Sequence, residues 1–244
     1  MAALKTWPAK RWLGMWAASV TGVFGYAICF LMGLQHLPAG KAALLITLNP
    51  VVTLVLAALV FGERINAAIA FGMALAALGA VLVISHGQPL QLLHGGLGVG
   101  EWLILGCVAC WVIYTLIGRA VLTGVDALST TAVTATMGAL MLLAASLVFE
   151  GPAGLQQAAH AGGQAWGALL FLAFGATALA YAWYFDGVKA LGAGASAAYI
   201  TLVPVVGVVL ATLLLGERID ASTLLGGAMA VAGTAIMNWG RRGT

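Results

Sequence analysis

The 244 residues are 63% hydrophobic and 7% charged with a formal net charge of +3, a balance far outside that of soluble domains. It excludes water as the main solvent, and lysines and arginines that form no stripe with interleaved aromatics exclude a nucleic-acid partner. The apolar runs are continuous and rich in Leu, Ala and Val, which also excludes the short alternating strands of an outer-membrane barrel.

In chain order, residues 1–12 form a short basic leader with no cleavable signal pattern. Apolar stretches near the roughly 20 residues needed to cross a bilayer then predict helices at Leu13–Leu34, Ala42–Phe61, Ala67–Ser85, Trp102–Leu122, Ala127–Phe149, Ala165–Phe185, Ala195–Leu215 and Ser222–Trp239. The prediction is therefore an all-α membrane protein of about eight spans, with a loop at 86–100 and a short tail at 240–244. An even number of spans puts both termini on one side. The positive-inside rule makes that side cytoplasmic, because Lys5, Lys10, Arg11, Arg64, Arg119, Lys189, Arg241 and Arg242 then lie inside and Lys41 and Arg218 outside. Trp12, Trp16, Trp102, Trp166, Trp183 and Trp239 fall near predicted helix ends, where amphipathic rings favour the interface, and Trp111 lies deep in the fourth helix. Cys29, Cys107 and Cys110 sit inside apolar helices, so no disulfide framework is implied.

A repeat runs through this series. Ile46-Thr47-Leu48-Asn49-Pro50-Val51-Val52 recurs 154 residues later as Ile200-Thr201-Leu202-Val203-Pro204-Val205-Val206, and without a gap Gly62-Glu63-Arg64-Ile65 falls on Gly216-Glu217-Arg218-Ile219. Gly72 and Gly79 fall on Gly226 and Gly233 in the same register. The matched helices are predicted in opposite orientations, so the repeats are inverted, as in transporter folds with a pseudo-two-fold axis in the membrane plane. Residues 13–85 form the first repeat, with three helices, and residues 101–239 the second, with five. The counterparts of the two extra helices would precede Met1.

Two proline-bearing helices, each followed by Gly-Glu-Arg-Ile and a glycine-spaced helix, resemble the EamA-type branch of the drug/metabolite transporter superfamily. The resemblance covers nearly the whole chain and implies ten helices in two halves, both termini cytoplasmic in the bacterial inner membrane, and export of amino acids, related metabolites or toxic compounds. It also implies coupling by proton or substrate exchange. Against that pattern the chain reads as starting at the third helix, and a truncated or degenerate non-transporting membrane subunit is the alternative expectation.

Within this frame the candidate substrate-binding residues are Tyr26, Asn49, Pro50, Trp111, Tyr114, Tyr181, Tyr199, Thr201 and Pro204. Pro50 and Pro204 each free a helix carbonyl, and matching breaks in two halves point to a midplane site. Asn49 and Thr201 supply polar groups there, either to a solute or to the broken backbone. The tyrosines and Trp111 can stack on and hydrogen-bond an amphipathic solute, or simply pack. Glu63-Arg64 and Glu217-Arg218 are expected to serve the following helix's N-terminus and the headgroups. No acid or base falls at the middle of a span, and Glu101, the nearest candidate for a proton relay, is expected at a solvated helix end. No cofactor, metal or catalytic residue is expected, since the Cys107/Cys110 pair lacks further ligands and no nucleotide-binding loop or paired nucleophile and base is present. The small-residue faces Gly72/Ala76/Gly79 and Gly226/Ala230/Gly233 are expected to pack in the scaffold or at a homodimer surface rather than along the pathway. The partners expected are a small-molecule substrate and the lipid bilayer.

Overall fold

The computed structural model describes residues 9–62, 65–85, 87–88, 97–121, 127–179, 183, 203–217 and 219–240, and among them the regular structure is entirely helical. We number the helices α1 (Ala9–Leu34, with π-helical turns at Val20–Gly25), α2 (Ala39–Ile46), α3 (Leu48–Phe61), α4 (Ala67–Ile84) and α5 (Val99–Val121). The series continues with α6 (Ala127–Phe149), α7 (Gly151–Ala159), α8 (Gly163–Leu170, running into π-helical turns at Phe171–Leu179), α9 (Val203–Leu215) and α10 (Ala221–Gly240). By length and hydropathy Ala9–Leu34, Ala39–Phe61, Ala67–Ile84, Val99–Gly118, Ser129–Phe149 and Ala221–Gly240 are long and apolar enough to cross a membrane, and Gly163–Gly175 and Val205–Leu215 are shorter apolar helices. The chain is an all-α multi-pass membrane protein. Large apolar side chains face outward along these helices, Leu59 at 76% and Phe149 at 86% exposure being examples, which only a hydrocarbon solvent makes favourable. Trp12, Trp16, Trp102, Trp166, Trp183 and Trp239 are all exposed, whereas Trp111 is half-buried.

The chain divides into two units, residues 1–139 with 201–244, and Leu140–Ile200. In the second unit, α7 occupies a stretch that the hydropathy pattern leaves as a loop; Gly151, at φ 67°, turns the chain after α6, and Pro152 fits the first helical turn. The first unit holds the buried clusters. One contains Leu37, Ala42, Leu44, Leu45, Val83 and Ile104. Another contains Val51, Leu54, Ile69, Ala76 and Met237, and a third joins Met15 and Ala18 to Tyr114, Ile117 and Val133.

The closest helix pair in the first unit is α4 on α10. A Cβ on Gly72 would lie 2.6 Å from the Met237 nitrogen, and one on Gly79 would lie 2.6 Å from the Ala230 nitrogen. Conversely, one on Gly226 would meet the Gly79 carbonyl at 2.6 Å, and one on Gly233 the Gly72 carbonyl at 2.5 Å. The early glycine of each helix thus faces the late glycine of the other, which makes the helices antiparallel and places Ala76 and Ala230 at the crossing. Only residues without a side chain let backbones approach this closely.

Both helices start in the same way. Gly62 and Gly216 end the preceding helices at φ 69° and 67°, a conformation that suits glycine. Asn66 then accepts from the Ile69 N–H at 2.8 Å, and Asp220 accepts from the Thr223 N–H at 2.9 Å, each satisfying an otherwise orphaned donor of the first turn. Glycine, cap and capped residue all keep the 154-residue register. Asn66 also donates to the Gly240 carbonyl at 2.9 Å, tying the start of α4 to the end of α10.

Candidate functional site

The middle of the Ala39–Phe61 span is broken. Pro50 has no N–H to give the Ile46 carbonyl, and its ring crowds that carbonyl, so α2 ends at Ile46 and α3 begins at Leu48. Thr47 bridges the break, with its N–H and its hydroxyl both donating to the Leu44 carbonyl, at 3.1 and 2.6 Å. The residue adjacent to Pro50 is treated differently. Asn49 is 9% exposed, and its Oδ1 is sealed from solvent without a hydrogen-bond partner. Pro50 itself is half-buried.

A second irregularity lies in α1. Ser19 and Thr21 donate their hydroxyls to the Met15 and Ala17 carbonyls, at 2.7 and 2.9 Å, a back-bonding that competes with the helix ladder. The helix widens to π geometry over Val20–Gly25, a form often found at functional sites. Shifted by the repeat offset, this stretch corresponds to residues 174–179, inside the π-helical Phe171–Leu179 of the second half.

From the wide turn onward α1 runs antiparallel to α5, and side chains of one helix lie against glycines of the other. Gly22 lies under the Tyr114 ring, Gly25 against Cys110 Sγ, Gly106 against Cys29 Sγ and Gly33 against Ile104. This seam gathers four aromatic rings. Tyr26 is 5.6 Å from Trp111 and Trp111 is 5.7 Å from Tyr114, both tilted, while Tyr26 stacks on Phe30 at 5.9 Å. All four are half-buried. The Tyr26 and Cys107 side chains share a hydrogen bond, so the ring's polar end is satisfied inside an apolar seam.

Of the residues picked out from sequence, the structure brings Tyr26, Trp111 and Tyr114 into one row. It places Asn49 and Pro50 together at the break. The Pro204 backbone lies in the first turn of α9, and Tyr181, Tyr199 and Thr201 fall outside the described residues. Phe30 joins the aromatic row without having been singled out; its i+4 spacing from Tyr26 was the available signal. Among the described residues no group of three His, Cys, Asp or Glu side chains is placed to hold a metal ion.

Two carboxylates behave differently from expectation. Glu101 pairs with Lys41 at 2.9 Å, and the two side chains are only 14% and 6% exposed, so this helix end is not simply solvated. Glu217 does not serve the helix that follows it. It accepts from the Ala39 and Gly40 N–H groups at 2.7 and 2.9 Å, capping α2 across 177 or more residues of sequence. That cap, with Pro38 as the preceding extended residue, explains why α2 starts at Ala39 rather than at Ala42. Gly40 leaves room for the carboxylate: a Cβ there would lie 3.1 Å from Oε2.

The sequence profile of the EamA-like transporter family matches residues 1–85 and 98–239. The chain is 29% identical over 214 residues to an uncharacterized transporter, YyaM, of Bacillus subtilis, covering 88% of this chain and 69% of that one. It is 29% identical over 232 residues to a probable terminal-alkyne amino-acid exporter of Streptantibioticus cattleyicolor, covering 95% and 75%. It is 28% identical over 213 residues to a probable amino-acid metabolite efflux pump of Escherichia coli, covering 84% and 69%. A solved crystal structure superposes with a TM-score of 0.57 at 21% identity, over 91% of this chain and 76% of that one, a likeness of fold.

Proposed function

Since the chain belongs to the EamA-like transporter family, we propose that it is a secondary transporter that exports amino acids or related small metabolites and drugs across the bacterial inner membrane by alternating access. The observation that carries this reading is the α4–α10 seam, where matching glycines of the two repeats cross in antiparallel fashion. Inverted repeats of this kind let one half rock against the other around a midplane site. The broken α2–α3 span and the aromatic row beside the wide turn of α1 supply the polar and stacking groups for such a site. In this proposal the candidate residues are Tyr26, Asn49 and Pro50 of the first repeat and Trp111, Tyr114, Tyr181, Tyr199, Thr201 and Pro204 of the second. Both termini are cytoplasmic.

The Lys41–Glu101 pair and the Glu217 cap gather α2, α5 and the α9–α10 link at one end of the first unit. With the N-terminus inside, that end faces away from the cytoplasm. The position matching Lys41 in the second repeat is Ala195, which carries no charge, so the ion pair has no counterpart there and favours a conformer closed on the outer side. No enzymatic step and no cofactor are part of this mechanism; proton exchange is the coupling we propose.

Reconstitution tests it. Liposomes containing the protein should release labelled amino acids or cationic dyes faster than empty liposomes, and an imposed pH gradient should change the rate. Absence of flux for both classes under both conditions would remove the transporter reading.

A further inference from the structure

We infer that Asn49 Oδ1, together with the Ile46 carbonyl, is the acceptor pair that receives the ammonium group of a cationic solute. The inference rests on the transport reading and names the chemistry of its site. Among the described residues, Asn49 Oδ1 is the buried side-chain oxygen or nitrogen left without a hydrogen bond, and leaving such a group unpaired inside a protein is destabilising. Other buried polar residues avoid that cost by bonding to carbonyls three or four residues back. Ser19, Thr47, Thr134 and Thr234 donate to the carbonyls of Met15, Leu44, Thr130 and Ala230, at 2.7, 2.6, 2.9 and 2.8 Å. The repeat places Val203, 64% exposed, at the equivalent position, so the repeat itself does not call for an amide at Asn49.

Two acceptors stand at the break. Pro50 withholds the N–H that the Ile46 carbonyl would otherwise receive, and Asn49 adds a second carbonyl-type oxygen three residues further on. Neither is charged. Two neutral dipoles at the middle of a membrane span suit a group that brings several N–H donors and a positive charge, and they bind it without a fixed countercharge that would hold it too long. Because Oδ1 is sealed in this conformer, a solute reaches it only when the α2–α3 break moves, so binding and the change of access are linked.

The test uses the purified full chain in detergent, with 2-phenylethylamine as probe and 2-phenylethanol as its neutral counterpart. In the parent protein the amine should raise the unfolding temperature and the alcohol should not. Asn49→Leu should unfold about 2–6 °C higher than the parent when empty, the range expected for relieving one buried polar group in a chain of this size, and should bind the amine at least tenfold more weakly. Asn49→Asp, which keeps the shape and adds charge, should bind the amine more tightly than the parent. The inference is overturned if the parent does not bind the amine, if Asn49→Leu unfolds below the parent, or if Asn49→Leu binds the amine as tightly. Binding through Asn49 in a protein that gives no flux in liposomes would remove the transport reading while leaving this one standing. Parental amine flux by Asn49→Leu would do the reverse.

Discussion

Glycine builds two different contacts in this protein. In the α4–α10 seam, the space over Gly72, Gly79, Gly226 and Gly233 is filled by the backbone of the opposing helix. In the α1–α5 seam, the space over Gly22, Gly33 and Gly106 is filled by side chains, those of Tyr114, Ile104 and Cys29. Backbone against backbone admits one arrangement, because nothing at the contact can rotate. Side chains against glycine can repack by changing rotamer. The first contact therefore suits a fulcrum and the second a surface that moves, and the irregularities follow the same division. The π-helical turns at Val20–Gly25, the aromatic row and the cysteines belong to α1 and α5, whereas α4 and α10 are regular throughout and capped at their starts.

Substitutions sharpen this contrast. Gly79→Ala puts a methyl group onto the Gly226 carbonyl and the Ala230 nitrogen, so the helices must separate. We expect a loss of about 4 kcal/mol or more, seen as failure to recover a monodisperse protein after extraction, with no second-site truncation restoring it. A smaller effect is expected at the ion pair. Lys41→Ala removes the cation that pairs with the largely buried Glu101 carboxylate and should cost about 3 kcal/mol, whereas Lys41→Met with Glu101→Met should recover most of the lost thermal stability. The smallest effect is expected in the side-chain-filled seam. Gly33→Ala meets Ile104 Cδ1 at 2.7 Å and should cost about 1 kcal/mol, and adding Ile104→Val should return the unfolding temperature towards that of the parent. Equal losses at Gly79 and Gly33, or equal rescue of both, would erase the distinction between the two seams.

The fold was largely legible in the sequence because a bilayer imposes simple length and polarity rules, and because the 154-residue register aligned Pro, Gly and Glu positions that chance similarity between apolar helices would not preserve. The packing of the two glycine-spaced helices in the scaffold followed from the same register. The site was legible only in part. Tyr26, Trp111 and Tyr114 could be grouped because aromatics with polar atoms away from the interface need partners. Glu217 was misassigned because a carboxylate between two helices looks local in sequence, and nothing local indicates that it reaches Ala39 and Gly40. The Lys41–Glu101 pair was hidden for the same reason: each charge sits singly near a helix end, and only the packing of α2 against α5 brings them together. The wide turns at Val20–Gly25 and Phe171–Leu179 have no residue signature as strong as a proline.

Sidedness offers the most direct test of two halves lying oppositely in the membrane. Single cysteines replacing Ile65 and Ile219, in a chain whose Cys29, Cys107 and Cys110 have been replaced by serine, are treated in intact cells with a membrane-impermeant maleimide. Labelling at position 219 from outside, and at position 65 only after the membrane is opened, is the predicted result; labelling of both positions from the same side would contradict it.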